Sequence, residues 1–472
     1  LCKKEDFSVP VSLVILILYI AALFGISWYA KKRSEGNNEN YALAGRKLSA
    51  PLICVTIIGL AVGGASTIGV SEQAFRVGLS AGWYTIAWAL GAIAMGLFMA
   101  KKYREQNITT ITELIERHHG TNAVILGVLC QIVIQLVIIS LQYIAGGSIL
   151  HAILPDIFDF KTGMIVSAIT FIGITFIGGM WSASLSNVLN IVLIYVGILI
   201  ATVIQFNKIG SMDNLAAALP SNVPWFSFID GVGPVTIASW CLTLITVNLS
   251  LQSILQISLG AKDAETAKKG FVWGGIIMLP VGVLAAFLGI VAKAMFPDAQ
   301  AALALPQVIV GLQPVLAGIT LAALWAADVS TACNLLLSAG TLFSSDIYKR
   351  FINPDCDEKR QLFVTRMCVM ISGILTLGLA MTVSSILGTI MIGLALTAAF
   401  TMIVFVALFF PHYTSKAAGF WTLLTGLLTI ILWQVYPAIR IFPNVIYLEW
   451  VVCIVTYFVV ALISPAKKTA EK

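Results

Sequence analysis

Asp328, Ser330, Thr331 and Asn334 interrupt an otherwise apolar run of the chain, from Leu316 to Arg350. A helix of about 20 apolar residues crosses a bilayer, and this run is longer. A carboxylate at that depth costs roughly 2.5–3.5 kcal/mol on insertion scales. Such a group persists where it faces a cavity, an ion or another polar side chain. Adjacent hydroxyls beside helix carbonyls are hard-oxygen ligands. A mostly neutral oxygen set suits a monovalent cation better than Ca²⁺, which gathers carboxylates. The run therefore reads as one wall of a cation site. Ser330 and Thr331 have a competing reading, as hydroxyls bonded back to carbonyls of their own helix. Asp328 also has two readings. It is a carboxylate that packs helices together, or a titratable, ion-coupled group beside the site. At roughly 100° per residue it lies about 160° from Ser330 and one turn from Thr331. It is expected to point at another core helix, near the ion without ligating it.

The elements that must hold these groups follow from composition. The chain is 59% hydrophobic and 11% charged, with a mean hydropathy of +0.96. Soluble domains carry about 25% charged residues, so the expectation is an all-α membrane protein embedded in a lipid bilayer. Thirteen apolar runs can be counted, the first at 8–30 and the last at 445–464. Lys and Arg fall 21 against 7 on the two sides of this arrangement. The positive-inside rule then places the N-terminus outside and the C-terminus in the cytoplasm of a plasma-membrane protein. The net charge of +6 arises from these loops and is no nucleic-acid footprint. Most of the eight cysteines lie inside apolar runs and none forms a CxxC pair, so zinc and disulfide frameworks are weak readings. No Walker A loop and no appended kinase or receiver domain is found. The chain reads as one transmembrane transporter unit rather than an enzyme.

Two runs look interrupted. In 50–75, Gly59, Gly63, Gly64 and Gly69 fall among Ser66 and Thr67. Glycine permits unwinding that frees carbonyls toward a ligand, and it equally permits close helix packing. In 234–259, Asn248, Gln252 and Gln256 join several hydroxyl residues. That content suits a cavity wall or interhelical hydrogen bonds. Glu72 and Arg76 are spaced to pair near one end of the first of these runs. His118 and His119 sit among charged residues and are expected in a solvated loop.

Four segments resemble the sodium/solute symporter family, which shares the inverted-repeat fold of the leucine transporter. They are Tyr41-Ala-Leu-Ala-Gly-Arg46, Gly178-Gly-Met-Trp-Ser-Ala-Ser184, Gln252-Ser-Ile-Leu-Gln256 with Gly260-Ala-Lys-Asp263, and Ala322 to Thr331 with Asp346-Ile-Tyr-Lys349. The resemblance implies a 5+5 inverted-repeat core with interrupted first and sixth core helices. The repeats would be 50–206 and 234–410, after a leading segment 1–49 and before a trailing segment 411–472. It implies a Na⁺ site formed by Gly59, Val62, Ala327, Ser330 and Thr331. Candidate solute-binding groups are Gly63, Gly64, Ser66, Gln142, Asn248, Gln252 and Gln256. The implied function is sodium-coupled import of a small organic solute such as an amino acid, sugar or carboxylate. Proton coupling through Asp328 is the alternative within that class, and a transporter-like channel or sensor the alternative outside it. The chain departs from the family pattern at Ser186 and Asn187, where many members carry Thr-Asp, so a single coupled Na⁺ is expected. It departs again at Leu251 and Ile257, where the family has Asn and Arg. The solute and the oligomeric state stay open.

Overall fold

The computed structural model describes residues 11–381 and 386–464. The start of the first apolar run and the tail lysines Lys467, Lys468 and Lys472 lie outside the described residues. Helices dominate, as a bilayer demands of backbone polar groups that cannot reach water. In chain order we number α1 Val11–Ser34, α2 Ala50–Ala61, α3 Ala65–Val77, α4 Leu79–Glu105, α5 Thr121–Ala152 and α6 Phe160–Ile209. Next come α7 Pro234–Ser250, α8 Gln252–Leu259, α9 Ala264–Met295 and α10 Pro314–Leu342. The last four are α11 Glu358–Ala380, α12 Met391–Phe409, α13 Lys416–Val435 and α14 Val445–Ile463.

Among the described residues ten helices are long and apolar enough to cross a membrane, and two bent pairs raise the candidates to twelve. The pairs are α2/α3, bent by 59°, and α7/α8, bent by 49°. The 50-residue α6 is itself broken at Gly179, whose φ of 52° and ψ of −137° no helix adopts. A Cβ there would lie 2.4 Å from the Tyr41 carbonyl oxygen, so this residue must be glycine. Counting 160–178 and 180–209 separately brings the crossings to thirteen, the number expected from the apolar runs. Helix starts are capped at the interfaces. Asp159, Asp263 and Asp357 accept the backbone N–H three residues on, at 2.7, 2.7 and 2.8 Å.

α10 is the centre of the bundle. Every residue from Thr320 to Leu342 is buried, and its main neighbours are α6 and α5. A helix apolar all round belongs in the interior, which leaves its polar side chains no route to solvent. By contrast α1, α6, α13 and α14 carry exposed large apolar residues, among them Trp28, Ile169, Trp421 and Val455. Those faces meet lipid.

Candidate functional site

The site begins with a defect in the backbone. α2 ends at Ala61, Val62 leaves helical geometry (φ −93°, ψ 72°), and the chain resumes at Ala65 in a wider π turn. Gly59 and Leu60 then turn their carbonyls toward α10. Thr331 Oγ1 lies 3.0 Å from each of them and donates there. On the far side of the break the Gly64 N–H donates to Gln142 Oε1 of α5, at 2.9 Å. Ser66 Oγ donates back to the Ala61 carbonyl at 2.6 Å, a side-chain bond where the helix has none.

The glycines are required by proximity. A Cβ on Gly63 would lie 2.3 Å from Thr331 Oγ1 and 2.6 Å from Gln142 Oε1. One on Gly64 would meet Ala145 Cβ at 2.4 Å and Asp328 Oδ1 at 2.6 Å. One on Gly59 would lie 2.4 Å from Asn187 Nδ2. So α10, α5 and the second half of α6 close around the break. Asn187 stands at Gly59, Thr331 and Gln142 at Gly63, and Asp328 at Gly64.

Ser330 takes the competing course foreseen for it. Its hydroxyl donates to the Ala327 carbonyl at 2.8 Å, on its own helix. Asp328 is fully buried with its Oδ1 facing Gly64, whose N–H lies beside it, and no side chain donates to its carboxylate. Asn187 is also buried, with its Nδ2 unpartnered.

The remaining candidates lie elsewhere. Asn248 packs against Gly91 of α4, and its Nδ2 donates to the Leu244 carbonyl at 2.8 Å. Gln252 and Gln256 serve the Lys/Arg-rich end of the bundle. Gln252 Oε1 accepts the Ile111 N–H at 2.7 Å, and Gln256 Nε2 donates to the Ala42 carbonyl at 2.7 Å. Both hold connecting segments to the base of α8. Glu72 and Arg76 do pair, at 2.9 Å. His119 is not solvated. It is 1% exposed, with its ring nitrogens 2.9 Å from the Ser415 carbonyl and 3.2 Å from that of Ile403. Sequence neighbours suggested solvent there, but the short helix Ile111–His119 turns this residue inward against α12 and α13.

One residue escaped the sequence reading. Gln131 of α5 closes the second break: its Nε2 donates to the Ser250 carbonyl at 3.0 Å and its Oε1 accepts the Gln252 N–H at 3.2 Å. The signal was present in the spacing. Gln131, Gln135, Ile138 and Gln142 follow an i, i+4, i+7, i+11 stripe on α5.

A small enclosed cavity lies between the two breaks. It is lined by Gly63 and Ala65 at the first, Leu251 at the second, Tyr84 and Trp88 of α4, and Gln142. Its volume is ≈ 20 Å³, room for about one water in this closed arrangement. Tyr84 stacks edge-on against Trp240, at 6.0 Å between ring centroids. Trp240 in turn lines an open vestibule with Gln73 and Trp433. An aromatic pair thus separates the vestibule from the inner cavity.

Two broken spans flanking a buried polar point, with a vestibule leading to it, define a helical membrane transporter. The chain belongs to the sodium:solute symporter family, whose profile matches residues 41–426. It is similar to the sodium/glucose cotransporter of Vibrio parahaemolyticus, at 24% identity over 77% of this chain and 73% of that one. It is similar to a sodium/proline symporter of Staphylococcus aureus, at 23% identity over 89% and 85% of the two chains. The fold matches a Na⁺-coupled sialic acid symporter solved in a substrate-bound outward-open state, with a TM-score of 0.82 and 16% identity over 98% and 99% of the chains. MhsT, solved with L-phenylalanine, matches with a TM-score of 0.57 at 13% identity, over 87% of this chain and 98% of that one. The protein is a sodium-coupled solute symporter of the membrane.

Proposed function

We propose that this symporter imports a small organic solute across the plasma membrane with one Na⁺ per cycle, N-terminus outside and C-terminus inside. The observation that carries the ion assignment is Thr331 Oγ1, held 3.0 Å from two carbonyls of a broken helix on another element. In this arrangement the hydroxyl proton occupies the gap between α10 and α2. A Na⁺ ion placed there is met by oxygens alone. The Thr331 hydroxyl turns its lone pair inward, joined by the carbonyls of Gly59, Val62 and Ala327, and Ser330 Oγ leaves its own-helix bond to complete the set. The ion then ties α2 to α10 where a hydrogen bond did before. Asn187 beside Gly59 adds no charge, which supports a single ion. Solute enters by the vestibule, past Trp240 and Tyr84, and reaches the cavity at Gly63, Gly64 and Gln142. The two repeats proposed for the core, 50–206 and 234–410, each contribute one break to that cavity.

Purified protein in nanodiscs tests the ion assignment. Na⁺, but not K⁺, is expected to raise its thermal midpoint and to compete for ²²Na⁺ binding. Thr331→Ala is expected to weaken that binding about tenfold or more, the order of a lost charge-assisted contact. Equal stabilisation by Na⁺ and K⁺ overturns the reading.

A further inference from the structure

Asp328 is a buried carboxylate to which no side chain donates, and its Oδ1 faces Gly64 at the first break. The ion pairs among the described residues join other groups, from Lys31–Glu35 to Arg350–Asp346. A carboxylate in a membrane interior is kept where it pairs with a cation or lines a ligand path. Among the described residues only the Gly64 N–H stands beside it and no cation does, so the cation arrives with the ligand. Na⁺ does not fill this role. The Thr331 hydroxyl addresses Gly59 and Leu60, before the break, whereas Asp328 Oδ1 addresses Gly64, beyond it.

The cavity next to this point has a lining suited to the same chemistry. Gly64 stands between Asp328 Oδ1 and Gln142 Oε1, at 2.6 and 3.5 Å from the place of its missing Cβ. Both atoms are acceptors. Tyr84 and Trp88, one turn apart on α4, present aromatic rings to the cavity, and such rings attract a cation. Carboxylate, amide oxygen and aromatic rings thus come together where no described residue places a positive charge.

We propose that the transported solute carries a protonated amine, and that Asp328 receives its ammonium group with Gln142 Oε1 while Tyr84 and Trp88 wall it. This rests on the symporter reading above and names the solute class for the same site. An ammonium group comes in two kinds of solute, a simple amine or an amino acid zwitterion, and the test separates them.

Wild-type protein in nanodiscs is scanned for Na⁺-dependent thermal shifts with ethanolamine, L-alanine and L-proline. N-acetylethanolamine, N-acetyl-L-alanine, N-acetyl-L-proline and D-glucose serve as partners without the charged amine. At least one amine is expected to shift the midpoint and to lose tenfold or more in affinity on N-acetylation. A response confined to ethanolamine assigns a simple amine, and one confined to alanine and proline assigns a zwitterion. Asp328→Asn is expected to lose at least tenfold more amine affinity than Na⁺ affinity, with partial recovery in a second variant, Asp328→Glu. Should the Asn variant not fold, the N-acetylation comparison on wild type decides alone. Glucose or an N-acetyl compound binding as well as the amines overturns the proposal. So does stabilisation by Na⁺ with no response to any amine, which leaves the symporter reading standing. Parallel loss of amine and Na⁺ affinity in Asp328→Asn also overturns it, because the carboxylate then serves the ion. No Na⁺ effect in wild type sinks both readings together.

Discussion

The two broken spans lean on one helix and are finished differently. Gln131 and Gln142 are 11 residues apart on α5, so they lie within about 20° of the same side. At the α7/α8 break Gln131 satisfies the freed carbonyl of Ser250 and the freed N–H of Gln252 with one amide. That break is chemically complete. At the α2/α3 break Gln142 satisfies only the Gly64 N–H. The freed carbonyls of Gly59 and Leu60 are left to a single hydroxyl, Thr331, that can turn away. Asp328, beside the Gly64 N–H, is left with no side-chain partner. A break closed by a side-chain amide is a fixed knuckle. A break closed by one rotatable hydroxyl is a site that a cation can take over.

The comparison fails most visibly if the first break tolerates bulk. Gly63→Ala sets a Cβ 2.3 Å from Thr331 Oγ1. Over-packing of this kind costs about 1–3 kcal/mol, and here it falls on the ligand groups themselves. Na⁺-dependent transport is expected to drop about 100-fold while the protein still reaches the membrane. Radiolabelled ²²Na⁺ binding on purified variant checks it, and wild-type affinity would place the ion elsewhere.

Gln131→Leu probes the second break. It strands two buried backbone groups, at about 1–3 kcal/mol each. The expected result is a lowered thermal midpoint and lower yield with Na⁺ affinity unchanged. A shift in Na⁺ affinity as large as the loss of stability would erase the distinction between the breaks.

Gln142→Leu is the matched change at the first break. It strands one N–H, at about 1–3 kcal/mol, so its cost in stability is expected at roughly half that of Gln131→Leu. Unlike Gln131→Leu, it is expected to weaken solute binding. Isothermal titration of the two variants side by side compares them directly.

The smallest expected effect is one of pH. Gln252, at the second break, holds the start of the short helix that ends in His119. Burial depresses the His119 pKa, with neighbouring His118 adding to it, against two backbone carbonyls that oppose the shift. Because the folded value lies below the ordinary one of about 6.5, the unfolded chain binds more protons as pH falls through it. The stability from neutral His119 is thus present above about pH 6.5 and is lost on acidification below it. His119→Gln is expected to flatten the thermal midpoint between pH 7 and pH 5.5, with Na⁺ affinity unchanged. An identical pH slope in wild type and variant would remove His119 from the account.

Much of this protein was legible in one dimension. Apolar runs of bilayer length and the glycines at Gly59, Gly63 and Gly64 are local or additive properties. They depend on the chain's own transfer free energy and backbone freedom, so they survive without knowledge of neighbours. Thr331 and Asp328 were marked for the same reason, since polar groups deep in a membrane demand partners wherever they point. What the chain could not announce is who the partners are. Ser330 turns back on its own helix while Thr331 crosses to α2, a choice made by the 59° bend that opens one direction only. Gln252 and Gln256 looked like cavity residues, yet they clamp connecting segments some 140 and 214 positions away in sequence. Gln131 went unnoticed although it closes a whole break. Amides and hydroxyls donate and accept without preference for sequence distance, so their roles are settled only when packing brings a particular backbone group within 3 Å.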